Sequence, residues 1–132
     1  VAFLSHSTFG QPVTDRTKRI SDAVEILKKN NVDFKFDGEM QPDVALEEIY
    51  KELYPFSEIV GSSNVLIMPS QHSAAISYKM IKSMSRAKVI GPLLIGLGLP
   101  IEIAPLRSST SEIINIASIA AYSADVIDYK KN

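Results

Sequence analysis

Two loops in the first third of the chain carry residue types that handle negative charge. Ser5-His6-Ser7-Thr8-Phe9-Gly10 follows a short apolar run and precedes an amphipathic segment. Ser5, Ser7 and Thr8 offer hydroxyls, and Gly10 permits close backbone approach. A loop between a strand and a helix is where open α/β folds bind ligands, and the next helix start presents N–H groups to anions. The same residues also serve ordinary turn and capping chemistry. The second loop lies within Phe36-Asp37-Gly38-Glu39-Met40-Gln41-Pro42-Asp43-Val44-Ala45-Leu46, which reads as strand end, tight turn and helix start. Glu39, Gln41 and Asp43 recur at every second residue and line one side of an extended segment. Asp43 is assigned to capping the helix that follows. Glu39 and Gln41 are either ligand contacts or solvated polar groups.

Toward the other end, Ser109-Thr110-Ser111-Glu112 is a capping box, a role that requires no catalysis. His6 and His72 are the two histidines; no acidic trio at metal-ligand spacing accompanies them, so no metal site is expected. The chain has no cysteine, which excludes disulfides, thiolate metal sites and a cysteine nucleophile. A net charge of −1 speaks against nucleic acid as the main partner. The 132 residues, 45% hydrophobic and 22% charged, suit one folded domain rather than a disordered chain. No apolar run reaches the roughly 20 residues that span a bilayer. Residues 89–103 are the most apolar stretch, but Gly91, Pro92, Gly96, Gly98 and Pro100 interrupt it. Val1 falls inside an apparent strand without an initiator Met, as expected of a piece of a longer protein.

The elements that must position these residues alternate in type. Strands are expected at 1–5, 32–36, 64–68, 89–94 and 101–104. Helices are expected at 15 to about 30, 43 to about 53, 71 to about 85 and from the capping box onward. In the first helix Ile20, Ala23, Val24 and Leu27 recur at i, i+3, i+4, i+7, and Thr14 stands at the N-cap position. The last helix is apolar on more than one side and should be buried between layers or against a partner. No repeat or linker breaks the pattern, so one α/β unit is expected.

Four ordered stretches carry a resemblance. They are the Phe36–Leu46 stretch, Lys51-Glu52-Leu53-Tyr54-Pro55-Phe56-Ser57, Gly91-Pro92-Leu93-Leu94-Ile95-Gly96-Leu97, and Glu112-Ile113-Ile114-Asn115. Together they resemble the C-terminal part of the phosphate acetyl/butyryltransferase family. The Glu-Leu-Tyr-Pro-Phe-Ser run is most similar to the copy fused behind the catalytic half of bacterial NADP-dependent malic enzymes. The resemblance implies part of a two-lobed α/β fold like that of isocitrate and isopropylmalate dehydrogenases, spanning residues 1–128, with 129–132 as a frayed tail. It places Ser5, Ser7, Thr8, Gly10, Glu39 and Gln41 near a phosphate and acyl-CoA cleft.

In the family, a Ser-Arg-Gly step stabilises the oxyanion and the phosphate charge, and an Asp opening the last helix takes the CoA thiol proton. The Asp falls on Glu112; the Ser and Arg fall on Pro105 and Leu106, which have neither hydroxyl nor charge. Arg107 stands one position late. Glu112 and Arg107 are therefore the candidate catalytic pair. Ala75 stands where the family usually has Asn, and His72 where it has a small polar or acidic residue.

The resemblance implies an acyl-CoA-responsive regulatory and oligomerisation module of a malic enzyme, which converts malate to pyruvate. An active transferase (acetyl-CoA plus phosphate to acetyl phosphate and CoA) and a purely structural remnant are the two alternatives. Within the chain no cofactor is expected beyond acetyl-CoA or a related acyl-CoA. NADP and a divalent Mg or Mn ion belong to the catalytic half outside it. The expected partners are the missing lobe, that catalytic half and further copies of the chain, in a bacterial cytoplasm.

Overall fold

Three short parallel strands form the sheet, in the order β2-β1-β3. The computed structural model describes residues 1–129. The elements are β1 (Ala2–Leu4), α1 (Asp15–Lys28), β2 (Asp37–Met40), α2 (Pro42–Leu46), a 3-10 turn (Glu48–Glu52), β3 (Leu66–Ile67), α3 (Gln71–Met84) and α4 (Thr110–Tyr129). Residues 1–80 pack as one compact unit and, among the described residues, 81–129 as another, where the unbroken pattern suggested a single unit.

In the first unit the alternation along β1 buries Ala2 and Leu4 completely or nearly so. They pack with Met40, Val44, Ala45 and Ile59, and Phe9, Tyr50, Tyr54, Leu66 and Met68 close over them. The apolar run at 32–36 is not the second strand; the ladder to β1 is made by Asp37–Met40. Phe34 and Phe36 instead stack edge to face, and Phe36 meets Phe3 in the same way. A strand exists where backbone groups find a ladder, not where side chains are most apolar.

The β1–β2 register shifts once. Phe3 faces Gly38 and Leu4 faces Met40, so Glu39 has no opposite residue. Such a bulge redirects the side chain of the extra residue. Gly38 is required at the approach. Its φ is +151°, and a Cβ there would lie 2.7 Å from both Cβ and the carbonyl oxygen of Phe3.

Helix α1 begins as its sequence indicates. Thr14 caps it, accepting from the Thr17 amide, while the Thr17 hydroxyl accepts from the Thr14 amide at 2.8 Å. Val24 and Thr17 are buried. Helix α2 is shorter than expected. The Ala45 carbonyl accepts from the Ser63 amide at 2.8 Å, which takes it out of the helical ladder, and Glu47 turns extended. The N-cap is Gln41, with Pro42 next, so Asp43 lies in the first turn rather than at the cap. Its carboxylate accepts from the Val44 amide at 2.9 Å.

In the second unit the expected strands at 89–94 and 101–104 do not form. Pro92, Pro100 and Pro105 supply no amide, and the described residues offer these segments no ladder. One cross-contact survives, from the Leu94 amide to the Glu102 carboxylate at 3.2 Å. Helix α4 buries Ile116 but leaves Ile113, Ile114 and Tyr122 exposed, contrary to burial on several sides. Tyr129 closes it, and the rest of the expected frayed tail, 130–132, lies outside the described residues. Among the described residues no helix is long and apolar enough to cross a membrane.

Gly38→Ala is expected to cost about 1–3 kcal/mol of stability through overpacking against Phe3. Gly98→Ala, where an added Cβ meets nothing within 4 Å, should stay within about 0.5 kcal/mol of the parent. Urea denaturation of both variants checks the contrast.

Candidate functional site

The bulge turns Glu39 inward, where its side chain is 2% exposed. A buried carboxylate requires donors, and two parts of the chain supply them. Gly10 donates its amide to Oε1 at 2.6 Å and Ser7 its hydroxyl at 3.1 Å, both from the loop after β1. Ser21, on α1, donates its hydroxyl to Oε2. The Phe9 amide reaches the Glu39 carbonyl at 2.8 Å. Burial pushes this carboxyl up, but the bonds from Ser21, the Gly10 backbone and Ser7 outweigh it, so it titrates below its ordinary value.

The remaining loop candidates join the same assembly. Ser7 also donates to the Ser5 hydroxyl at 3.3 Å. The Thr8 hydroxyl accepts from the Gln41 amide at 3.1 Å, and Gln41 donates its side-chain amide to the His6 carbonyl at 3.1 Å. Ser5, Ser7, Thr8, Gly10, Glu39 and Gln41 are thus brought together, largely by bonds to one another. Chemically this arrangement holds the loop after β1 against β2 and α1. Ser5 and His6 also line an open cavity.

The second cluster lies at the start of α4. Glu112 Oε1 pairs with Lys82 Nζ at 2.8 Å. Its Oε2 accepts from the Ser109 amide at 2.8 Å and the Ser109 hydroxyl at 2.9 Å. The Glu112 amide in turn donates to the Ser109 hydroxyl at 3.3 Å, completing the capping box. The Lys82 bond first, then those from Ser109, lower the Glu112 pKa to about 2. Arg107, Asn115 and Pro105 share with Glu112 and Lys82 the lining of a cavity of about 120 Å³. Leu106 is fully exposed.

Sequence reasoning named Glu112 and Arg107 but missed Lys82, thirty positions from its partner, and Ser21, which looks like any polar residue on α1. Neither has a local signal, because each meets its carboxylate through tertiary packing.

A small parallel sheet with helices between its strands defines an α/β protein. The profile of the family described as Phosphate acetyl/butaryl transferase matches residues 1–121. The chain belongs to this family.

Over 124 residues it is 48% identical to the NADP-dependent malic enzyme of Rhizobium meliloti (strain 1021), covering 94% of this chain and 16% of that protein. Over 125 residues it is 35% identical to the phosphate acetyltransferase of Clostridium acetobutylicum, covering 94% of this chain and 38% of that one. The phosphotransacetylase of Streptococcus pyogenes superposes with a TM-score of 0.84 at 33% identity, over 93% of this chain and 38% of the other. The chain therefore spans well under half the length of these relatives.

Glu39→Gln puts an amide N–H₂ where donors already point. At neutral pH it should lose about 1–3 kcal/mol of stability. Since the folded-state pKa of Glu39 is lowered, its carboxylate stabilises the fold above the unfolded-state pKa and loses that effect as pH falls through the folded-state pKa. Denaturation curves against pH should show the variant and parent converging in acid. By the same logic, the Glu112 carboxyl resonance should titrate near pH 2 and move upward in Lys82→Met, which NMR can follow residue by residue.

Proposed function

We propose that this chain is the C-terminal, phosphotransacetylase-like domain of an NADP-dependent malic enzyme. It acts as an acyl-CoA-responsive regulatory and oligomerisation module without transferase activity of its own. One observation carries the reading. Where the family places its Ser-Arg pair, this chain has Pro105 and a solvent-exposed Leu106, so no hydroxyl or guanidinium stands there to meet an oxyanion. The state of Glu112 supports it. A carboxylate with a pKa of about 2, with both oxygens engaged, is a weak acceptor for a thiol proton whose ordinary pKa is about 8.5.

The malic-enzyme likeness at 48% identity favours that parent over a free-standing transferase. In this reading the chain is part of one lobe of a two-lobed, isocitrate-dehydrogenase-like architecture. NADP and a divalent cation are held by the catalytic half. The assembly is a homo-oligomer in the bacterial cytoplasm, and exposed Ile113, Ile114 and Tyr122 of α4 are surface for the missing lobe. Control requires only that an acyl-CoA bind two states of the assembly unequally.

A second reading, a working phosphate acetyltransferase, has one observation in its favour: Arg107 and Glu112 do line the same cavity. Phosphate-dependent release of CoA thiol from acetyl-CoA by the full-length protein separates the two. No release above background is expected, and turnover would overturn the regulatory reading. Acetyl-CoA is also expected to raise the melting temperature of that protein, because a ligand that prefers the native state stabilises it. The absence of any shift would leave only a structural role.

A further inference from the structure

The segment from α2 through the 3-10 turn to Ile59 presents its side chains in the wrong order for a surface left in water. Val44, Ala45 and Ile59 are buried in the core of the first unit, and Tyr50 and Tyr54 pack against that core. The aliphatic neighbour of each tyrosine stands in solvent instead: Ile49 is 71% exposed and Leu53 67%. Tyrosine carries a hydroxyl that suits contact with water, whereas isoleucine and leucine gain most from leaving it. Leu46 and Phe56 enlarge the exposed side, Phe56 at 66%. Phe56 is nevertheless held in place. Its ring lies edge to face with those of Phe9 and Tyr54, at centroid distances of 4.9 and 6.1 Å. An aromatic ring fixed from below and open above suits an interface anchor, since little side-chain freedom is left to lose on binding.

The charges around these residues describe what would cover them. Residues 43–58 hold five acids, Asp43, Glu47, Glu48, Glu52 and Glu58, and one base, Lys51, in a chain whose net charge is −1. Glu47, Glu48 and Glu52 are exposed and interleave with Leu46, Ile49 and Leu53. The complementary surface is apolar at its centre and carries Lys or Arg around it. A two-fold pairing of this face with the same face of a second copy would set acid against acid, which speaks against it.

Relative lengths point to one occupant. An alignment of 124 residues makes up 16% of the Rhizobium meliloti malic enzyme, and one of 125 residues makes up 38% of the Clostridium acetobutylicum transferase. More than half of the malic enzyme therefore has no counterpart in the transferase. Leu53 and Phe56 fall inside the Glu-Leu-Tyr-Pro-Phe-Ser run, the stretch most similar to the malic-enzyme copies.

We propose that Ile49, Leu53 and Phe56 anchor a docking surface for the catalytic half of the parent protein, with Glu47, Glu48 and Glu52 meeting basic side chains at its border. The proposal rests on the malic-enzyme reading above and adds to it the surface through which the two halves meet.

Photo-crosslinking of the full-length parent tests it. With p-benzoylphenylalanine in place of Leu53, irradiation and peptide mass spectrometry identify what lies against that position. The expected product joins it to a peptide of the catalytic half. Ile49→Lys/Phe56→Lys in the same protein should lower the cross-linked yield at least about tenfold, because it sets two buried charges against a basic partner. Should that double variant not fold, the cross-link from position 53 in the otherwise unaltered parent decides alone. Cross-links confined to residues 1–132 of another copy, to the missing lobe or to nothing would overturn the proposal, as would an undiminished yield in the folded double variant. Malate-dependent reduction of NADP by the parent checks the underlying reading separately. Reduction without a cross-link to the catalytic half would sink the docking surface alone, and no reduction would sink both.

Discussion

Taking a carboxylate out of water is tolerable only when donors surround it, and Glu39 shows how much of the first unit is arranged around that requirement. The β1–β2 register shift turns the side chain inward, and Gly38 is the residue that allows β2 to approach Phe3 closely enough for the shift. Once inside, the carboxylate gathers Ser7 and Gly10 from the loop after β1 and Ser21 from α1. One acid therefore ties together strand, loop and helix. The loop it fixes is the one that presents Ser5 and His6 to the cavity at the ends of the strands. Within the loop Ser7, Thr8 and Gly10 brace the structure through bonds to β2 and the residue after it, while His6 lines the cavity.

The second carboxylate, Glu112, illustrates the opposite use of similar chemistry. It is only partly buried and sits at a helix start, where a negative group is favoured by the exposed amides. Lys82 and Ser109 then engage both of its oxygens. Such a group organises a helix terminus well and accepts a proton poorly. The nearby Pro105-Leu106 segment likewise brings neither a hydroxyl nor a charge.

Much of the fold was legible locally. The Thr14 cap, the Val24 stripe of α1, α3, and the capping box that opens α4 all follow from side chains within four residues of one another. Strand positions were legible only where the apolar run and the ladder coincide, as at β1 and around Leu66–Ile67. They failed at 32–36, where the aromatic residues stack instead of pairing, and at 89–94 and 101–104, where no ladder is on offer. The shortening of α2 was invisible for a similar reason: the bond that ends it comes from Ser63.

By itself the sequence determined the family, the alternation of strands and helices as far as α3, and the starts of α1 and α4, because these depend on residue identity or on neighbours along the chain. Only the tertiary structure decided that Glu39 points inward, that Lys82 meets Glu112, and that Arg16, Arg19, His6 and His72 share one cavity. Each of those depends on where separate elements come to rest. That placement is set by register, bulges and packing between distant residues, for which a linear string carries no local mark.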